Sequence, residues 1–332
     1  MTALHPPGRR AAALTGVLLV ALLAVACAAP SGSVRTPVDG RGRIPGAAVA
    51  PSTGCDRPTQ PVPPPGRSTL LVPVGGGTRF SLVDVPAGAG PHPLLVSLHP
   101  FLLGPEQWDD YSGLSAAATA RGYVVVTPLG SDPGPRWAVP GGVPSGADDI
   151  GFVGALADHV EDALCIDRNR EFAAGFSAGA AMAQALSCTM PWRFAGVAGS
   201  GGTNLTSLCP DAPGTDVLAL HGTADPIAPP SGSTVAFAPP LGLDVRDVVA
   251  TDAARAGCAP APVTTHPTAS TVQQDFTGCA EGRRVRYLSL IGAGHTWAGA
   301  PNPLIELVGG PTATDVSATA VALDFFDATA TP

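Results

Sequence analysis

Residues 171–180 read Glu171-Phe172-Ala173-Ala174-Gly175-Phe176-Ser177-Ala178-Gly179-Ala180, and alanines continue to position 185. A short apolar run that ends in Gly-x-Ser-x-Gly and passes at once into an alanine-rich segment is a buried strand, a tight turn and a helix start. Such a turn strains the backbone at Ser177, and small residues on either side avoid the clash. The hydroxyl then stands clear of the sheet, at the positive end of a helix. The pattern alone is weak. With 41 glycines in 332 residues, composition produces about 0.3 such matches by chance, so the remaining chain has to supply what a nucleophilic serine needs.

The bulk properties restrict the classes open to the chain. Its 332 residues allow one large domain or two small ones. A hydrophobic content of 45% with 13% charge supports a sizeable core and excludes overall disorder. The net charge is −8, and the 18 basic residues are all arginine, scattered without a stripe, which argues against a nucleic-acid partner. Arg9 and Arg10 precede an apolar run over 11–26 that is too short for a membrane span and reads as a signal peptide, residues 1–26.

Leu23-Ala24-Val25-Ala26-Cys27 is similar to a bacterial lipoprotein box, although Ala24 is a poor match. Cys27 is therefore either removed with the leader or is the site of a lipid anchor. The six remaining cysteines, Cys55, Cys165, Cys188, Cys209, Cys258 and Cys279, are an even set in an exported chain. They read as three structural disulfides with 15 formal connectivities, and no C-x-x-C spacing points to zinc or a redox pair. No metal-ligand cluster is visible and no cofactor is expected. Residues 27–66, rich in Pro, Gly, Ser and Ala, read as a tether or extended lead-in that Cys55 pins to a catalytic domain over 67–330.

Within that domain, residues 70–74 and 80–85 around Gly75-Gly76-Gly77 predict a β-hairpin. Strands are expected at 94–98, 123–127, 171–175, 194–198, 216–220 and 285–291. Helices are expected at 113–121, over the amphipathic segment 148–164, after Ser177, and at 315–326, with a surface loop over 128–147. The alternation from residue 94 onward predicts an α/β fold, a mostly parallel sheet with helices on both faces. Ligands bind such sheets beyond the carboxyl ends of the strands.

A serine hydroxyl needs a base, and the base needs an orienting group. Of seven histidines, His5 lies in the leader, His92 and His266 fall in proline-flanked loops, and His159 lies on the polar side of the amphipathic helix. His99, His221 and His295 follow predicted strands. His295, in Gly292-Ala293-Gly294-His295-Thr296-Trp297, sits on a glycine-hinged loop that can bring it over the serine. His221 is close enough to its strand to be a packed, hydrogen-bonded residue, whereas Asp225 on the following loop is better placed as the orienting acid. The order Ser177, Asp225, His295 is nucleophile, acid, base.

These segments together resemble the extracellular polyhydroxybutyrate depolymerase and feruloyl esterase family of α/β-hydrolases. The matching stretches are residues 95–100, Ala147-Asp148-Asp149-Ile150-Gly151-Phe152, Leu164-Cys165-Ile166-Asp167, Gly175 to Gly179, His221 to Pro226, and Gly294-His295-Thr296-Trp297. They span about 94–299. The resemblance implies Ser177 as nucleophile, His295 as base and Asp225 as its partner. It also implies disulfides Cys188–Cys209 and Cys258–Cys279, which leaves Cys55 with Cys165.

The chain departs from the family at His99-Pro100-Phe101, where a glycine usually follows the histidine. An oxyanion hole needs backbone N–H groups. Ala178 supplies one; proline has none, so Phe101 rather than Pro100 is the second candidate. His99, Trp137 and Trp297 are candidates for lining a substrate cleft, Trp297 because it lies two residues beyond the base. Asp148 and Asp149 read as helix-capping carboxylates. The glycine runs at 75–77 and 199–202 are turn material, since neither fits a nucleotide fingerprint.

The expectation is an exported, monomeric serine esterase that acts on a polymeric or small ester: polyhydroxybutyrate, or a feruloylated or acetylated polysaccharide. It is secreted, or held at the cell surface through Cys27. The competing reading is a cell-surface binding protein that keeps the fold with little catalysis.

Overall fold

The computed structural model describes residues 48–131, 136–142, 145–232 and 242–329. The predicted leader and Cys27 lie outside these residues. From residue 48 the expected tether is a docked arm. Pro51 bridges Asp167, and Ser52 Oγ donates to Leu164 O and accepts from the Ile166 N–H. A 3₁₀ turn, Thr53–Cys55, then presents Cys55 to Cys165.

Strands β1 (Gly66–Val74) and β2 (Gly77–Val85) form the N-terminal hairpin. Gly75 and Gly76 make its turn at φ 59° and 82°, values that a side chain resists. The chain continues through β3 (His92–Leu98), α1 (Pro105–Ser112), α2 (Leu114–Ala120), β4 (Val124–Pro128), α3 (Asp149–Ala163), β5 (Ile166–Phe176) and α4 (Ala178–Thr189). It then forms β6 (Gly196–Ser200), β7 (Asp216–Gly222), α5 (Val245–Arg255), β8 (Val263–Thr268), β9 (Thr271–Phe276), β10 (Val285–Leu290), α6 (Pro303–Gly309) and α7 (Ala318–Thr329).

The strands make one sheet in the order β1-β2-β4-β3-β5-β6-β7-β10-β9-β8. The six strands from β4 to β10 in that order run parallel, and an antiparallel hairpin flanks them at each edge. Alternation along the strands divides the core. Leu94, Val96, Val124 and Val126 point to one face and pack with Phe152, Leu156, Met182 and Leu186 from α3 and α4. Leu95, Val125, Phe172, Leu218 and Leu288 point to the other, against Trp108, Leu114, Leu323 and Phe326 from α1, α2 and α7. Both faces are covered, so the parallel strands are mostly apolar where they cross the core, while the first half of β5, Asp167 to Glu171, is polar. Among the described residues, no helix is long and apolar enough to cross a membrane.

Several elements differ from the sequence expectation. Helix α1 (Pro-Glu-Gln-Trp-Asp-Asp-Tyr-Ser) is short and mostly polar, and it is held by the burial of Trp108. The β8–β9 hairpin is rich in Thr and Gln and half exposed, so no apolar alternation marks it. His92 and His266 therefore lie at the start of β3 and within β8 rather than in loops. Asp148 does cap α3, its carboxylate accepting from the Gly151 N–H. Asp149 does more than favour the helix dipole. It is fully buried, bonds Arg79 at 2.8 Å, and accepts from Ser131 Oγ and the Ala138 N–H, so it clamps the segment after β4 to β2 and α3.

The disulfides join Cys55 to Cys165, Cys188 to Cys209 and Cys258 to Cys279, a pattern that fits an oxidising compartment. The first closes a span of 110 residues. Replacing Cys55 and Cys165 together by alanine is expected to lower the unfolding free energy by about 4 kcal/mol, read from urea midpoints, because the unfolded chain regains that loop entropy. Limited proteolysis should then cut the arm before β1 first; an unchanged midpoint with a protected arm contradicts this account.

Candidate active site

Strand β5 ends at Phe176, and α4 begins at Ala178, so Ser177 alone makes the turn. Its backbone sits at φ 54°, ψ −118°, a region that costs a non-glycine residue on the order of 1–3 kcal/mol. Neighbouring backbone holds it there. Ser177 N–H donates to Ser200 O at the end of β6, and its carbonyl accepts from the Ala181 N–H in the first turn of α4.

Close packing explains the glycines. A Cβ at Gly179 would stand 2.0 Å from Leu98 O, and one at Gly175 would stand 2.5 Å from the Gly179 carbonyl carbon. The run at 199–202 also belongs to the site, which the sequence reading missed. A Cβ at Gly202 would stand 2.0 Å from Ser177 O, and one at Gly201 would lie 3.4 Å from the His295 ring. Two successive glycines after a strand, Gly201-Gly202, were the available signal.

His295 follows β10. Its imidazole Nε2 is 2.8 Å from Ser177 Oγ, and its Nδ1 is 2.7 Å from Asp225 Oδ2. The Phe176 ring packs 4.8 Å away. The loop is clamped rather than hinged: Gly294 N–H donates to Pro311 O and His295 N–H donates to Gly309 O. A Cβ at Gly294 would lie 2.0 Å from Gly309 O, so this glycine permits a close approach instead of a swing. Asp225 lies on the turn after β7, where its Oδ1 accepts from the Ile227 and Ala228 N–H groups, each at 2.8 Å. Thr223 and Ala224 N–H groups donate to Leu290 and Ala293 carbonyls, which joins the aspartate and histidine loops.

The electrostatics follow. Burial alone raises a carboxyl's pKa, but donation from His221, His295 and Ala228 outweighs it and holds Asp225 well below the usual carboxylate range. Ser177 is half-buried while His295 and Asp225 are nearly enclosed. A hydroxyl, an imidazole and a carboxylate are thus joined by two hydrogen bonds, and the geometry lets a proton leave the hydroxyl for Nε2 as Nδ1–H is held by the acid.

Three candidate cleft residues are placed elsewhere. His99 is fully buried, with Nδ1–H donating to Pro100 O and Nε2 accepting from the Gly130 N–H, so neither nitrogen is left for a substrate. Its pKa is lowered by burial. Trp137 packs on that ring at 4.8 Å and donates its indole N–H to His99 O. Trp297 is 1% exposed, meets Trp108 edge-on at 5.1 Å and donates to Thr319 Oγ1. These aromatic side chains support loops from inside the core. Phe101, by contrast, is exposed on the turn after β3, and Ala178 N–H opens α4, where no intrahelical acceptor exists. Among the described residues, no group of three His, Cys, Asp or Glu side chains is arranged to hold a metal.

Because the folded-state carboxyl of Asp225 is depressed, its contribution to stability is complete above its unfolded value of about 4 and lost as pH falls below that. The stability difference between the parent protein and Asp225→Asn, measured by urea unfolding, is therefore expected to shrink as pH falls below about 4. A difference that persists unchanged to pH 2 contradicts the assignment of that shift.

No protein-family model matches the chain. It is 30% identical over 338 residues, covering 94% of this chain and 97% of the relative, to the protein named "Putative esterase NocK" of Nocardia uniformis subsp. tsuyamanensis. It is 29% identical over 216 residues to feruloyl esterase C of Emericella nidulans, covering 61% of this chain and 72% of that one. Among solved structures, acetyl xylan esterase from Aspergillus awamori superposes with a TM-score of 0.52 over 69% of this chain and 94% of that one, at 15% identity, a likeness of fold. The parallel sheet, the strand–turn–helix elbow and these relatives together make the chain a carboxylic ester hydrolase of the α/β-hydrolase fold, a member of the feruloyl esterase family.

Proposed function

We propose that this esterase works through an acyl-enzyme on Ser177, with His295 as general base and acid and Asp225 as the group that orients it. The unbroken hydrogen-bond chain from Asp225 Oδ2 through His295 to Ser177 Oγ carries the reading. Ser177 Oγ attacks the ester carbonyl carbon while Nε2 takes its proton. The tetrahedral oxyanion is met by the backbone N–H groups of Ala178 and Phe101; when it collapses, the alkoxide leaves with the proton from His295. Water then attacks the acyl carbon and gives a proton to Nε2. The acid is released and Ser177 recovers its hydrogen.

The catalytic unit is assigned to residues 67–330 and the protein to the outside of the cell. A leader over 1–26 supports export, as do three disulfides; a lipid on Cys27 would hold the enzyme at the surface. The substrate is assigned as a feruloyl or acetyl ester of a polysaccharide, since relatives are named as feruloyl esterases, and a hydroxybutyrate polyester is the competing substrate.

The purified protein is expected to hydrolyse p-nitrophenyl acetate, and Ser177→Ala to reduce kcat by about 10⁴–10⁶ without change in the circular dichroism spectrum. Equal rates for the two proteins reject Ser177 as the nucleophile, and no hydrolysis by either favours the binding-protein reading. In a panel of methyl ferulate, acetylated xylan and hydroxybutyrate oligomers, either polysaccharide-type ester should show the highest kcat/KM; a panel led by the oligomers reassigns the substrate to polyester.

A further inference from the structure

His221 lies next to the end of β7 and is fully buried, yet the mechanism above gives it no step. Its Nε2 is 2.6 Å from Ala228 O and 3.4 Å from Asp225 Oδ2. Both neighbours are acceptors, so Nε2 carries the ring hydrogen. The Ala228 N–H in turn donates to Asp225 Oδ1 at 2.8 Å. A closed ring of contacts results: the imidazole holds Ala228, Ala228 holds one oxygen of the acid, and the imidazole faces the other.

The opposite ring nitrogen points to the reason for a histidine here. His221 Nδ1 is buried without a hydrogen-bond partner, and an unmet buried polar atom is destabilising. An apolar side chain of similar reach would fill the same space without that penalty. What the imidazole has that such a side chain lacks is the Nε2–H, which donates to Ala228 O and faces Asp225 Oδ2. Asp225 Oδ2 lies 2.7 Å from His295 Nδ1 and 3.4 Å from His221 Nε2, so the same carboxylate oxygen faces both rings.

We propose that His221 is a positioning residue for ester hydrolysis: by holding Ala228 and facing Asp225 Oδ2, it fixes the direction in which the acid presents itself to His295. The inference rests on the Ser177–His295–Asp225 reading. An acid free to rotate would leave the imidazole wrongly turned in part of the population. The loss should then appear in the chemical step more than in substrate binding.

The test is a double-mutant cycle on p-nitrophenyl acetate hydrolysis, with thermal melts for every variant. His221→Met keeps bulk and loses the donor, whereas His221→Gln places an amide N–H near the position of Nε2. His221→Met is expected to lower kcat about tenfold or more with KM within about twofold, and His221→Gln to recover most of that loss. In an Asp225→Ala background, His221→Met should cause no further loss, because the residue it acts through is gone.

Equal losses in both backgrounds, equal losses for Met and Gln, or full activity of His221→Met would each overturn the proposal. Should His221→Met not fold, His221→Asn, whose amide stops short of Asp225, takes its place in the cycle. A Ser177→Ala control separates the two levels. Residual parent-like activity there defeats the underlying mechanism, while an inactive control beside a fully active His221→Met defeats only the positioning inference.

Discussion

The backbone contact between Gly179 at the start of α4 and Leu98 O at the end of β3 is the constraint on which the site depends. A Cβ at Gly179 would come within 2.0 Å of that oxygen. A glycine lets the helix begin this close to the neighbouring strand, and Ser177 carries the reversal between them at φ 54°. The strain is tolerated because the surroundings over-determine it: β6 accepts from the Ser177 N–H, α4 donates to its carbonyl, and Gly202 packs against it without a side chain. The same contacts leave the hydroxyl half-exposed and the Ala178 N–H at the open end of a helix.

The parallel sheet supplies the other half of the geometry. Parallel strands place their carboxyl ends along one edge, so loops distant in sequence converge there. Ser177 follows β5, Asp225 follows β7 and His295 follows β10, and β7 and β10 are direct neighbours. Acid and base therefore form a single stitched unit through Thr223–Leu290 and Ala224–Ala293 hydrogen bonds. That unit meets the serine through one bond, His295 Nε2 to Ser177 Oγ. The low-lying Asp225 carboxyl follows from the same arrangement, since several donors converge on a group whose pKa burial alone would raise.

Much of this was legible in the residues. Apolar strands with turn residues between them marked the parallel core, and the Gly-x-Ser-x-Gly turn together with two polar residues after later strands marked the chemistry. Burial was less visible. Trp297 lies two residues from His295 in sequence, but the chain turns inward there, so proximity along the chain did not become proximity to a cleft. His99 looked available because it follows a strand, yet both its nitrogens are taken by backbone that only the fold brings near. The hairpin β8–β9 escaped notice because an exposed edge needs no apolar alternation, and α1 because one buried tryptophan, not periodicity, holds it. Gly294 was misread for a related reason: a glycine required by a close carbonyl looks the same in sequence as one that permits motion.

The central claim is that Ser177 is the residue that becomes acylated. The most direct measurement is intact-mass and peptide mapping of the protein after reaction with a fluorophosphonate. The account predicts a single adduct on the peptide that contains Ser177, formed in step with loss of esterase activity. Activity lost with the adduct on another residue, or an enzyme that resists the reagent while it continues to hydrolyse esters, would contradict it.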